Sequence, residues 1–150
     1  MQFECVIPTS SQIETLYIQL KERTHSISHK RMPSYKEHES FVKNHPYREW
    51  FIVKNAVRAL GNVYIQYNNS VGLNIDYSVT GGQISNILKF VYREIPPLPA
   101  IPSKRFGEFF LNVPSSNMTL QRKLSKLGFI EVERTFVLSK TDLLNLKGKA

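Results

Sequence analysis

The chain has 150 residues, 41% hydrophobic and 11% aromatic, which suits one compact domain over residues 1–150 and excludes a disordered or fibrous chain. Lys and Arg number 20 against 12 Asp and Glu, a formal charge of +8, so the surface attracts anions, yet no run of five basic residues marks a polybasic tail. The single cysteine, Cys5, excludes an intramolecular disulfide and is expected as a buried, inert thiol.

The opening MQFECVIPTS lacks a signal-peptide pattern, and no apolar run reaches membrane-spanning length, so the expectation is a cytoplasmic protein with no membrane partner. Phe3 to Ile7 reads as a strand. Ser11 and Glu14 are spaced as a capping box, and Ile13, Leu16, Tyr17 and Leu20 follow at helical spacing to about Arg23. A second capping box, Ser34 with Glu37, opens a helix that ends near Asn44, ahead of His45-Pro46. Strands are expected at Trp50–Val53, Leu60–Tyr67 and Val71–Tyr77, with Asn68-Asn69 as a hairpin turn because asparagine tolerates positive φ.

Ile84, Ile87, Leu88 and Val91 restore helical spacing up to Arg93. The prolines at 96, 97, 99 and 102 make 95–103 a stiff loop. A strand at Phe109–Val113, a helix opened by Asn117, a strand at Phe129–Leu138 and a short tail helix at Asp142–Leu146 complete the order. Consecutive strands in the middle imply an antiparallel meander, and the later strand–helix–strand run implies parallel pairing between the strands near 75 and 110. The class is mixed α/β, a central sheet with helices on its faces.

Two segments suggest anion or ligand binding. Thr80-Gly81-Gly82-Gln83 joins a strand to a helix, where free N–H groups and the helix dipole favour a phosphate, although neither a Walker loop nor a G-x-G-x-x-G fingerprint is present. Asn117-Met-Thr-Leu-Gln-Arg-Lys-Leu-Ser-Lys-Leu-Gly-Phe is fully explained as a capped helix, with Leu120, Leu124 and Leu127 as its core stripe and Gly128 at its C-terminus.

The same stretch resembles the final helix of the GNAT superfamily, the acyl-coenzyme A-dependent N-acyltransferases, whose pattern is N-x-x-A-x-x-x-Y-x-K-x-G-F. The element order over about residues 2–138 and the strand Val71-Gly72-Leu73-Asn74-Ile75 are also similar to that superfamily. Two departures stand out. The cofactor loop R/Q-x-x-G-x-G/A falls on Thr80-Gly81-Gly82-Gln83-Ile84-Ser85, with Gln83 at the first required glycine, and Leu124 stands where many members carry a proton-donating tyrosine.

The resemblance implies a GNAT-like sheet of about six strands flanked by about four helices. It implies an N-acetyltransferase that moves an acetyl group from acetyl-CoA, as co-substrate, to a primary amine of a small molecule. A nucleotide-linked amino sugar is one such acceptor, suggested by the polar, basic run from His25 to Arg31. Cofactor contacts are expected from Ile75, Tyr77, Thr80, Gly81, Gly82, Gln83, Ile84 and Ser85, with Asn112 and Asn117 across the cleft. His25, His29 and Asp76 are the candidate bases, with His38 a further histidine of the same helical region. No metal ligand set is evident. The alternative is a non-catalytic module of this fold that binds CoA or nucleic acid. Scattered lysines argue against nucleic acid, and Tyr64, Tyr67 and Tyr77 are expected as core or pocket residues rather than base-stacking platforms. A homodimer stays open.

Overall fold

The structure is a computed structural model that describes residues 1–25 and 31–137. Its elements are β1 (Gln2–Cys5), α1 (Ser10–Glu22), α2 (Tyr35–Lys43), β2 (Glu49–Lys54), β3 (Ala59–Ile65), β4 (Ser70–Ile75), α3 (Gly81–Glu94), β5 (Phe110–Leu111) and α4 (Met118–Lys126). The sheet runs in chain order from β1 to β5. Its first four strands are antiparallel neighbours, and β5 joins β4 in parallel.

Alternation along β2 divides the core. Trp50 and Ile52 face Ile13, Leu16 and Val42 of α1 and α2. Val53 packs on the opposite side with Ile84, Ile87 and Val91 of α3 and Leu120 and Leu124 of α4. The register between β2 and β3 slips at Val53/Lys54, beside Gly61. Gly61 has φ of 144°, and a Cβ there would lie 2.2 Å from the Asn74 carbonyl oxygen, so this bulge requires glycine.

The expected hairpin at Asn68-Asn69 forms, with Asn69 at φ 70°. Its buried side chain holds the proline-rich loop: Oδ1 accepts from Leu98 N–H, and Nδ2 donates to the carbonyls of Leu98 and Phe106. Arg48 and Arg105 add donations to the carbonyls of Pro96 and Pro99. The loop that delivers β5 to β4 is thus tied to the turn that starts β4.

The Ser34–Glu37 capping box forms as expected. The first helix differs: its cap is Thr9, whose hydroxyl accepts from Gln12 N–H, rather than Ser11 with Glu14. Gln12 is instead the bridge to β1, accepting from Ile7 N–H and donating to Glu4 and the Cys5 carbonyl. Cys5 is exposed rather than buried, because it ends an edge strand.

The described chain has five strands where about six were expected. Residues 129–137 pair with no strand, and Ile130, Val132, Phe136 and Val137 are exposed. Alternation is a local pattern; a strand also needs a partner edge, which this stretch does not reach. Leu138 and the tail helix expected at 142–146 lie outside the described residues. Among the described residues no helix is long and apolar enough to cross a membrane.

Candidate active site

The sheet splits between β4 and β5. Their parallel register covers only Ser70↔Phe110 and Val71↔Leu111. The next positions on the β5 side run into Pro114, which has no N–H to extend a ladder and whose carbonyl instead accepts from Asn117 N–H.

The unpaired groups on the β4 side follow from its other edge. Gln66 N–H donates to the Ser70 carbonyl and Asp76 N–H to the Leu60 carbonyl, which fixes the phase of the antiparallel ladder. Gly72 and Asn74 therefore turn their backbone groups toward β3, and Leu73 and Ile75 turn theirs into the split. A cleft of about 290 Å³ fills it, lined by Leu73, Ile75, Asn112, Asn117 and Lys123 among others.

The cleft lining reaches α3 at Ile84, one turn from the start of that helix. Gly81 and Gly82 belong to the first helical turn rather than to a turn ahead of it, because Thr80 caps the helix. Thr80 Oγ1 accepts from Gln83 N–H, Gln83 Oε1 accepts from Thr80 N–H, and Ile84 N–H donates to the Thr80 carbonyl. The expected phosphate cradle, Thr80 and Gly81 to Ser85, is thereby reduced. Gln83 and Ile84 have spent their N–H groups, Ser85 lies beyond the first unsatisfied turn, and Gly81 and Gly82 keep theirs. A Cβ at Gly81 would meet nothing within 4 Å, and one at Gly82 only Thr80 Oγ1 at 3.9 Å, so an anion can approach this backbone closely.

Lys123 of α4 closes the far side of this end. Its ammonium donates to the carbonyls of Tyr77 (2.8 Å) and Val79 (2.6 Å). Sequence reasoning missed it, since one lysine on a helix carries no signal until the loop beneath it is placed. Asn117 caps α4 with Oδ1, which accepts from Leu120 N–H at 3.1 Å, so its amide NH₂ is the half left for a ligand. Asn112 is exposed on the same wall. Leu124 is buried in the core, 6% exposed, and takes no part in the cleft lining.

Of the candidate bases, His25 lines the cleft and its Nδ1 lies 3.0 Å from Ser116 Oγ, spanning from the end of α1 to the approach to α4. Asp76 also lines it, but its carboxylate accepts from Ser78 N–H (2.7 Å) and pairs with Arg58 (3.0 Å). The Ser78 hydrogen bonds, then Arg58, hold its pKa below the ordinary carboxylate value, which makes it a weak proton acceptor. His29 lies outside the described residues. His38 is buried, with Nε2 3.1 Å from the Ile13 carbonyl. Tyr64, half-buried, and Tyr77, 86% exposed, line the cleft, as expected of pocket residues, whereas Tyr67, 63% exposed and past the end of its strand, lines neither cavity and corrects that expectation.

A second cavity, about 330 Å³, lies between α1, α2 and the sheet. It shares Arg23, Tyr47, Tyr64 and Asn74 with the cleft, so the two adjoin across these side chains. Its aromatic walls come from residues spread between 41 and 64 and had no local signature in the sequence. Among the described residues no three His, Cys, Asp or Glu side chains group as a metal site.

No family model and no curated protein sequence matches the chain. Its fold is similar to the crystal structure of a possible acetyltransferase from Clostridium difficile 630, with a TM-score of 0.53 over 93% of this chain and 96% of that one, at 12% identity. At that identity the likeness shows the fold alone, a mixed α/β sheet flanked by helices.

Proposed function

We propose that the chain is an N-acyltransferase that moves an acetyl group from acetyl-CoA to a primary amine. The observation that carries this reading is the β4–β5 split: Leu73 and Ile75 present unpaired N–H and C=O groups along a cleft whose lining reaches α3 at Ile84, one turn from the N–H groups of Gly81 and Gly82. An extended, amide-bearing arm ending in a pyrophosphate matches both parts. The arm would pair with Leu73 and Ile75 as an added strand, and the pyrophosphate would sit at the start of α3. Asn112 and Asn117 would hold the arm from the opposite wall.

In the transfer, the amine nitrogen forms a bond to the thioester carbonyl carbon. The carbon–sulfur bond then breaks with its electron pair on sulfur. The proton released by nitrogen passes to a base and ends on sulfur, giving an amide and a free thiol. A backbone N–H of β4 facing the split would steady the developing oxyanion; Asp76 cannot supply it, its N–H being spent on Leu60. His25, with Nδ1–H donating to Ser116, would take the proton at Nε2. Asp76 is the weaker base for the reasons above, and His29 is a further base of this proposal outside the described residues.

A thiol is an acceptable leaving group near neutral pH, so the reaction does not require a phenol at position 124. The burial of Leu124 nonetheless favours a second reading, a CoA-binding module without turnover. A nucleotide-linked amino sugar as acceptor rested on residues 25–31, most of which are outside the described chain; Arg23 and Arg31 beside the second cavity are what supports it. Calorimetry with acetyl-CoA, followed by a thiol-release assay over a panel of amines, decides among these readings. Binding with thiol release supports transfer, binding without it supports the module, and no binding by the folded protein removes both.

A further inference from the structure

The cleft accounts for the acyl donor and leaves the second cavity without a role. Its position supplies one: it adjoins the cleft at Tyr47, Tyr64 and Asn74, which belong to both linings. Resting on the acyl-transfer reading, we infer that this cavity is the acceptor site and that it selects a primary amine carried on an aromatic or branched apolar body.

Several of the cavity's polar groups are already engaged. Trp50 Nε1 donates to Asn62 Oδ1 (3.0 Å), and Asn62 Nδ2 donates to Gln19 Oε1 (2.7 Å). His38 is engaged with the Ile13 carbonyl, and Glu37 with Arg31 and its own helix cap. A polyhydroxylated ligand reaching the Trp50–Asn62–His38 side of the cavity would exchange water for groups already engaged with one another, and most of its hydroxyls there would go unpaired. No carboxylate in the lining is left uncompensated to attract a polycation, since Glu37 is held by Arg31.

The surfaces that do remain are apolar. Tyr47 and Tyr64 stack at 4.1 Å, Trp50 meets Tyr47 edge-on at 5.1 Å, and Phe41 meets Trp50 at 6.1 Å, with Leu16 and Leu20 on the α1 side. Aromatic faces and edges in this arrangement suit another ring or a branched alkyl body. At the junction with the cleft the polar groups return. Among the described residues the Tyr47 and Tyr64 hydroxyls and the Asn74 amide have no hydrogen-bond partner. Burial pushes the Tyr47 phenol up to about 12 and raises that of Tyr64, so both stay neutral and can hydrogen-bond an amine without attracting excess positive charge. An apolar body in the chamber with its nitrogen at the junction would place that nitrogen beside Leu73 and Ile75, where the thioester carbonyl is expected. An apolar chamber with a few convergent polar groups at its mouth is the usual form of a small-molecule site.

The chain's single tryptophan lines this chamber, so its emission reports occupancy without any acyl donor present. Phenethylamine and cyclohexylmethylamine are expected to change Trp50 emission saturably, at concentrations about tenfold or more below those needed with glucosamine or spermidine. Phe41→Ala, at an exposed wall position, is expected to raise the phenethylamine half-saturation about tenfold and leave acetyl-CoA calorimetry unchanged. Leu20→Gln serves the same purpose should Phe41→Ala not fold. Saturable phenethylamine binding with no thiol released on adding acetyl-CoA overturns the transfer reading and leaves the chamber's ligand class standing. Thiol release with glucosamine while phenethylamine leaves Trp50 unmoved overturns this inference and leaves transfer standing.

Discussion

Asn69 grips Leu98 at both ends of one residue: its Oδ1 accepts the Leu98 N–H at 2.8 Å, and its Nδ2 donates to the Leu98 carbonyl at 2.7 Å. The same Nδ2 reaches the Phe106 carbonyl at 2.7 Å. This side chain holds both ends of the loop that carries β5, and so helps set where the sheet begins to split. Asn69→Ala would strand three backbone groups and force alanine into φ 70°. We expect about 3 kcal/mol of lost stability in urea unfolding, with Asn69→Gly better than Asn69→Ala by about 1 kcal/mol because glycine tolerates that φ. Equal losses in the two variants would show that the backbone conformation contributes nothing.

Gly82 separates binding from folding. Its Cβ direction is open, and a carboxylate in the first turn of α3 suits the helix dipole, so Gly82→Glu should unfold no earlier than the parent. The same carboxylate would repel a pyrophosphate, and acetyl-CoA affinity by calorimetry should fall about tenfold or more. A folded Gly82→Glu protein that binds normally would place the phosphate site elsewhere.

Lys123 is the tie between α4 and the loop at 77–79. Lys123→Met keeps most of the aliphatic stem and removes two charge-assisted hydrogen bonds at a half-exposed site. The expected cost is about 1–2 kcal/mol, with faster amide exchange confined to residues 77–80. Uniformly faster exchange across α3 would contradict a local role.

His38 should make stability depend on pH. Burial lowers its pKa below the ordinary histidine value, and His45 is shifted the same way for the same reason. The unfolded chain therefore binds protons that the folded one refuses, so this stability is complete above about pH 6.5 and is lost as pH falls from there through the folded-state pKa. Urea midpoints measured from pH 7.5 to 5 should decline, and His38→Gln should flatten the decline. A parent midpoint that rises on acidification would reverse the assignment.

Local chemistry was legible in the sequence wherever both partners lie within one helical turn. Ser34 with Glu37, Asn117 as a cap and the turn at Asn69 all follow from neighbours a few residues apart. Thr9, Ser10 and Ser11 offer three adjacent caps, and the choice among them depends on Gln12 reaching β1, a contact no local rule contains. The glycines at 81 and 82 signal a turn, because glycine usually breaks helices; Thr80 and Gln83 cap around them instead. For the site, the parallel pairing followed from the crossover, while the cleft between those strands was expected only through the family resemblance. The narrowing of the phosphate cradle is local, set by Thr80 and Gln83, whereas the Lys123 tie joins α4 to a distant loop and the aromatic chamber is assembled from two helices and three strands.

The Tyr64 ring lies where a side chain at its cross-strand neighbour Gly72 would stand, with a built Cβ only 2.0 Å from the ring. One hydrogen in place of a methyl group thus keeps the dividing wall between the two hollows upright. Lengthening residue 72 by a single carbon would tip the ring off Tyr47 and reshape both compartments, although residue 72 donates no atom to the proposed chemistry. The shape of both hollows is therefore set in part by a cleft-lining position that has no side chain of its own.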